Sequence, residues 1–269
     1  MTFTWRTASA IVLGLSLMAC LPRDRDLGRE KPGTTLDSKA VPKGSDSTAT
    51  RSPKPAFTGP LASSRPPIVD PPLGESFEDN FERPTLGRDW RTNSLGSWKI
   101  EGGRLCARGA HNHPLWLGRQ LPTNAKIEFE ATSNSEDGDI KVELWGDGRS
   151  GATGVSYTNA SSYLTIFGGW KNTLHVLARI NEHGKDRREV QLSADSADPR
   201  ARAVVMGQTY RFRIERSDGH KLLWYVDDVE IHEFDDAQPL AGTGHDHFGF
   251  NDWEANICFD NLRITALPG

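Results

Sequence analysis

Alternation with a period of two runs through the chain from Glu75 onward and constrains its fold more than any other feature. Lys126-Ile127-Glu128-Phe129-Glu130, Asp139-Ile140-Lys141-Val142-Glu143-Leu144 and Tyr210-Arg211-Phe212-Arg213-Ile214-Glu215 each place apolar residues at every second position. Successive side chains of an extended chain point to opposite faces, so such runs read as strands with one face buried and one in water. Turn residues punctuate them: Glu101-Gly102-Gly103, Glu136-Asp137-Gly138, Gly146-Asp147-Gly148 and Ser217-Asp218-Gly219. No segment longer than about ten residues keeps a helical period. Roughly a dozen strands in one block would leave a single open sheet with exposed edges, which predicts an all-β class of two packed antiparallel sheets.

Several segments, in order, carry a family resemblance. The opening Phe77-Glu78-Asp79-Asn80-Phe81-Glu82-Arg83, then Leu86-Gly87 and Trp90, resembles the start of concanavalin A-like lectin/glucanase domains. So do Trp98-Lys99-Ile100-Glu101-Gly102-Gly103-Arg104-Leu105, Trp224-Tyr225-Val226-Asp227-Asp228 and the closing Ile257-Cys258-Phe259-Asp260-Asn261-Leu262-Arg263-Ile264. The resemblance implies a jelly-roll sandwich over residues 74–269, with first and last strands as neighbours. It speaks for fold more than for function, because this fold hosts lectins, hydrolases and adhesion modules.

Ahead of the strands the texture differs. Residues 21–72 hold ten of the sixteen prolines and one aromatic residue, Phe57. Such a stretch buries too little apolar surface to offset the entropy of ordering, so 20–73 reads as a disordered tether. Before it, Arg6 precedes the apolar run Ala8 to Met18, too short for the ~20 residues of a bilayer span, and residues 1–19 read as a signal peptide. Leu17-Met18-Ala19-Cys20 resembles the lipobox of bacterial lipoproteins, which implies lipidation of Cys20 and a membrane anchor. Leu21, in place of the Asp that marks inner-membrane retention in that family, implies the outer membrane.

Charge is divided unevenly. Residues 21–73 carry nine Lys+Arg against six Asp+Glu, whereas 74–269 carry 22 against 30, a balance of −8. An acidic domain argues against nucleic acid as partner and suits a glycan or a cation. Two cysteines remain, Cys106 and Cys258. On each strand the apolar neighbours face inward, so each Cys points to the opposite face. Side by side they can form a disulfide in an oxidising compartment; apart, they are two free thiols. The jelly-roll resemblance implies that they are close.

Chemistry concentrates in few places. Asp139, Lys141 and Glu143 resemble the strand that carries the carboxylates of laminarinase-type hydrolases, but Lys141 stands where that family has its assisting Asp. A lysine between two carboxylates lowers their pKa values, the wrong direction for a general acid. The plainer expectation is a charge-paired strand on an exposed face. His111-Asn112-His113 and His245-Asp246-His247 have the spacing of a strand-borne metal pair but lack the following Glu of cupins. His113 and His247 therefore stand as further catalytic candidates for an unusual site. For sugar recognition, Ser156-Tyr157-Thr158-Asn159-Ala160-Ser161-Ser162-Tyr163 and Phe167-Gly168-Gly169-Trp170-Lys171-Asn172 mix aromatics with amides and hydroxyls, and the residues singled out are Trp116, Trp145, Asn159, Tyr163, His247, Asn251 and Trp253. Asp79 and Asp260, in the first and last strands, are candidates for a structural calcium. The expected function is a membrane-anchored carbohydrate-binding or adhesion lipoprotein that does not cleave its ligand. The alternative is a glycoside hydrolase or lyase acting on extracellular or cell-wall polysaccharide through a non-standard site.

Overall fold

The computed structural model describes residues 69–269; the signal peptide, Cys20 and the tether up to residue 68 lie outside the described residues. Fifteen strands, β1 to β15 in chain order, form two antiparallel sheets among the described residues. One sheet runs β13 (Val229–Asp235), β12 (Lys221–Val226), β11 (Thr209–Arg216), β6 (Ala125–Ser133), β15 (Asn256–Ala266), β4 (Arg104–Arg108) and β3 (Trp98–Glu101), with β1 (Ser76–Asp79) also on β15. The other runs β10 (Arg188–Gln191), β9 (Leu174–Arg179), β8 (Tyr163–Gly168), β7 (Ile140–Gly146), β14 (His247–Asn251), β5 (Leu115–Leu117) and β2 (Trp90–Arg91). This is the expected jelly-roll sandwich.

β15 organises the topology. One of its edges takes β6; the other takes β4 along its first half and β1 along its second. First and last strands are thus neighbours, and the β4–β15 register sets Cys106 opposite Cys258. The two form a disulfide, with Cα atoms 4.1 Å apart. Their flanking residues Leu105, Ala107, Ile257 and Phe259 belong to the core, so the bridge lies on the other face of the sheet. Joining residues separated by 152 positions stabilises by about 5 kcal/mol if loop-closure entropy in the unfolded chain dominates.

Between the sheets the alternating residues meet. Ile127, Phe129 and Ala131 of β6 and Phe212 and Ile214 of β11 enter the core, where the Phe129 and Phe212 rings stack at 4.7 Å. Phe248, Phe250 and Phe259 extend this aromatic cluster, with centroids 4.9 and 4.3 Å apart. Each such pair adds about 1 kcal/mol beyond area burial. On the outer face of the first sheet Glu130 lies opposite Arg211 and Glu128 opposite Arg213, while the ion pairs themselves run along the strands, Lys126 with Glu128 and Arg213 with Glu215.

The second sheet departs from expectation. β7 and β8 are buried on both faces, so the strand expected to show charge to solvent does not. Lys141 is 3% exposed and Glu143 is fully buried. The reason is the segment 147–162, which folds over the outer face and packs Tyr157 and Ala160 onto Leu164, Ile166, Val176 and Ala178. That segment covers one part of the sheet and leaves a cavity beside it.

Residues 70–73, grouped with the tether by composition, are held on the domain. Asp70 receives both terminal nitrogens of Arg91, at 2.7 and 2.5 Å, and lies 3.0 Å from Nε2 of His247. Leu73 N–H donates to the Gln120 carbonyl, and Gln120 N–H to that of Pro71.

Candidate functional site

Asp139, Lys141 and Glu143 share the outer face of the second sheet, because β7 keeps its period of two from Ile140 to Leu144, whose apolar residues all enter the core. The irregularity comes later, at Trp145 (φ 51°). The three nevertheless meet different surroundings. Glu143 is sealed: its Oε1 accepts hydrogen bonds from the Tyr157 hydroxyl at 2.7 Å and Asn251 Nδ2 at 2.8 Å, and its Oε2 from the Ser162 hydroxyl at 2.6 Å. Burial pushes its carboxyl up to about 7, outweighing the hydrogen bonds and the field of Lys141, which pull downward. The lysine therefore acts in the expected direction, but desolvation wins. Tyr157, itself fully buried, covers this carboxyl and closes it off from solvent.

Asp139 and Lys141 instead reach a cavity of about 370 Å³. On its floor Lys141 Nζ donates to Asn112 Oδ1 at 2.8 Å and Glu182 Oε2 at 3.2 Å. Glu182 is fixed in turn by the Tyr157 N–H, 3.1 Å from Oε1. Asp139 is part-exposed, and the nearby Trp253 N–H favours its charged form. Burial raises its carboxyl above the usual range; Lys141 opposes this and Glu182 adds to it. Behind the floor, buried Asp252 is pushed up to about 7, chiefly by burial and further by Asp139, although it accepts the Ala110 N–H at 3.1 Å. Trp170 and Trp253 line the cavity as its aromatic surfaces.

Backbone strain gathers here. Asn112 (φ 59°), Asp139 (φ 60°), Trp170 (φ 51°) and Lys171 (φ 57°) all line the cavity in the left-handed region. Each such residue costs roughly 1–2 kcal/mol and persists only where its surroundings hold it. Gly169–Asn172 is a left-handed turn, held by the Asn172 side chain, which accepts from Val204 N–H at 2.9 Å and donates to the Val204 carbonyl at 2.7 Å. On the opposite side, His111 N–H donates to the Trp253 carbonyl and Asn112 N–H to that of Asp252. Those two bonds fix Asn112 and Trp253 relative to each other.

Of the residues singled out for sugar recognition, Trp253 lines this cavity and the others do not. Trp116 is buried on the outer face of the second sheet, packed where a Cβ at Gly146 or Gly249 would collide with its ring. Trp145 lies in the core with the Arg216 guanidinium 3.8 Å from its ring centre. Tyr163 is also core, its hydroxyl donating to Asp236 at 2.6 Å. Asn159 ties the covering segment together through Thr153 and Gly151, and Asn251 is spent on Glu143. Among the catalytic candidates, Asp139 lines the cavity; Glu143, His113 and His247 do not.

The histidine pairs do not converge on a metal. His111 lies 3.8 Å from Glu254, His245 bonds the Ser161 carbonyl and His247 bonds Asp70. No group of three or more His, Cys, Asp or Glu suits a metal among the described residues. The calcium candidates do not fit either. Both Asp79 oxygens are taken by Arg83, with Phe81 N–H and Trp90 Nε1 adding to them, so a guanidinium stands where the cation would. Asp260 accepts the N–H of Asn261.

Glu182 and His183 were not legible as site residues: Asn181-Glu182-His183-Gly184 reads as an ordinary turn, and only the fold carries Glu182 under the covering segment. Trp170 lay in the segment Phe167-Gly168-Gly169-Trp170-Lys171-Asn172, whose mix of aromatics and amides pointed to sugar recognition, and it lines the cavity.

No protein-family model matches the sequence, and no curated protein does. Solved structures do share the fold. A β-glucanase of Bacillus licheniformis superposes with a TM-score of 0.50 at 12% identity, covering 72% of this chain and 99% of that one. A carbohydrate-binding module, CBM66, of Bacillus subtilis gives 0.47 at 16% identity, covering 68% and 98%. At 12% identity the likeness to the β-glucanase is one of fold alone.

Proposed function

We propose that this domain binds a polysaccharide in the cavity beside β7, engaging one sugar unit there without cleaving it, and that a lipid on Cys20 holds it at the outer membrane. The observation that carries this reading is the cavity itself. Trp170 and Trp253 line it together with Asp139 and the mutually bonded Asn112, Lys141 and Glu182, in a volume of about 370 Å³. Sugar rings present apolar faces to stack on aromatics and hydroxyls for oriented polar groups. The strained backbone at Asp139 and Trp170 supports preorganisation for a ligand. The shared fold is compatible, since the named neighbours are a glucanase and a carbohydrate-binding module.

Glu143 supports the non-catalytic part of this reading. A retaining pair needs two accessible carboxyls about 5–5.5 Å apart with substrate between them. Here the carboxyl at the acid position is covered by Tyr157 and saturated with donors. The alternative, a hydrolase or lyase, rests on Asp139, a part-exposed carboxyl with a raised pKa at the cavity floor. A glycan array followed by calorimetry tests binding, and a turnover assay on the same polysaccharides separates the two readings. Trp253→Ala is expected to weaken binding at least tenfold. No binding on a broad panel overturns the proposal; turnover abolished by Asp139→Asn overturns its non-catalytic part.

A further inference from the structure

Resting on the carbohydrate reading above, we propose that the sugar taken by this cavity carries a free, protonated amine, which sets its ammonium against Asp139. The argument is one of unspent groups. Four carboxylates line the cavity, Asp137, Asp139, Glu182 and Glu254, against two ammonium groups, Lys141 and Lys171. Lys141 is already committed to Asn112 and Glu182 and is 3% exposed, so it has little left for a ligand. Glu182 is likewise engaged, by Lys141 and by the Tyr157 N–H. Asp139 is different: it has no side-chain hydrogen-bond partner and no ion pair among the described residues, feels Lys141 only through its field, and remains part-exposed at the cavity. A neutral sugar closing over it would strip its water without supplying a cation, which costs free energy. An ammonium would supply that cation. A uronic acid would add a further negative charge to an acidic cavity.

Two other observations agree. Trp170 already carries the Arg187 guanidinium 4.8 Å from its ring centre, so Trp253 is the indole left to add cation–π attraction for an ammonium on a sugar ring. Lys171 and His183 are the remaining groups of positive potential; both are exposed, where water screens them. Asp139 also sits at φ 60°, in the left-handed region that Asp and Asn tolerate best among non-glycine residues. Its placement at the floor is therefore compatible with both the acid and its amide.

That tolerance makes the test clean. Calorimetry at 150 mM salt and mildly acidic pH, where the amine of a glucosamine unit is protonated, would compare four probes: β-1,4-glucosamine oligosaccharides, their fully N-acetylated counterparts, neutral gluco-oligosaccharides and oligouronates. The free amines are expected to bind at least tenfold more tightly than their N-acetylated forms. Asp139→Asn, near-isosteric and suited to the same backbone, is expected to close that gap. Attraction of a polycation to an acidic domain in general would hardly change on loss of one charge, so a gap that persists in Asp139→Asn overturns the inference. Tighter binding of N-acetylated, neutral or uronate probes overturns it too while leaving carbohydrate binding intact. No binding by any probe overturns both.

Discussion

Glu143 shows how strongly burial governs single residues in this domain. Its carboxyl, ordinarily near 4.5, stands at about 7, and Asp252, ordinarily near 3.8, stands at about 7 as well. Because the folded values lie above the unfolded ones, folding takes up protons between them. Stability therefore falls as pH rises through that window, by on the order of 3 kcal/mol for Glu143. Asp70, Asp79 and Asp236 shift the other way through ion pairs and hydrogen bonds, so their contribution is lost below about pH 4. Urea titrations from pH 3 to 8 should show a maximum near about pH 5. In Glu143→Gln the decline from pH 5 to 7.5 should be shallower, since Gln can accept from Tyr157 and Asn251 and donate to the Ser162 hydroxyl. An unchanged slope would mean that Glu143 is ionised in the fold. Its buried position was not legible in the sequence, where alternation assigned it to a wet face.

At the scale of elements, the segment 147–162 decides which part of the second sheet is accessible. Nothing in its run of Gly, Ser, Thr and Asn announces a cover, yet Tyr157 is fully buried on β8 and β9 with its hydroxyl on Glu143. Tyr157→Ala should cost about 3–5 kcal/mol, the range for large aromatic truncations in a core. It should also open the surface over Glu143 and raise hydrogen exchange across β7 and β8. A loss below 1 kcal/mol would show that the segment is not held by this contact. The strands themselves were legible because their period matches the pleat. That failed for β7 and β8, where a short polar loop buried the second face as well.

At the scale of the whole molecule, the fold closes on itself at β15, where β1, β4 and β6 meet. The Cys106–Cys258 bridge fastens this closure, and Asp70 fastens the entering chain through Arg91 and His247. Thermal melts should distinguish a chain that begins at residue 69 from one that begins at Gly74. The shorter form loses a bidentate Asp70–Arg91 pair and leaves Arg91 and His247 without that partner. The expected loss is about 2–3 kcal/mol, and equal melting temperatures would mean the segment adds nothing.

What the sequence determined by itself was local and periodic: strands from alternation, turns from Gly and Asp, and two sheets from the number of strands, whereas the choice between a cysteine bridge and two free thiols waited on the β4–β15 register. Each depends on neighbours along the chain, or on a repeat that only one architecture satisfies. What only the tertiary structure decided was exposure. Lys141 and Glu143 have the same spacing in the sequence as any strand pair, but one borders a cavity and the other is sealed beneath Tyr157. Glu182, 41 positions after Lys141, becomes its partner only once β8 and β9 are laid beside β7. Accessibility and charge balance arise from such distant segments meeting, and no local pattern encodes them.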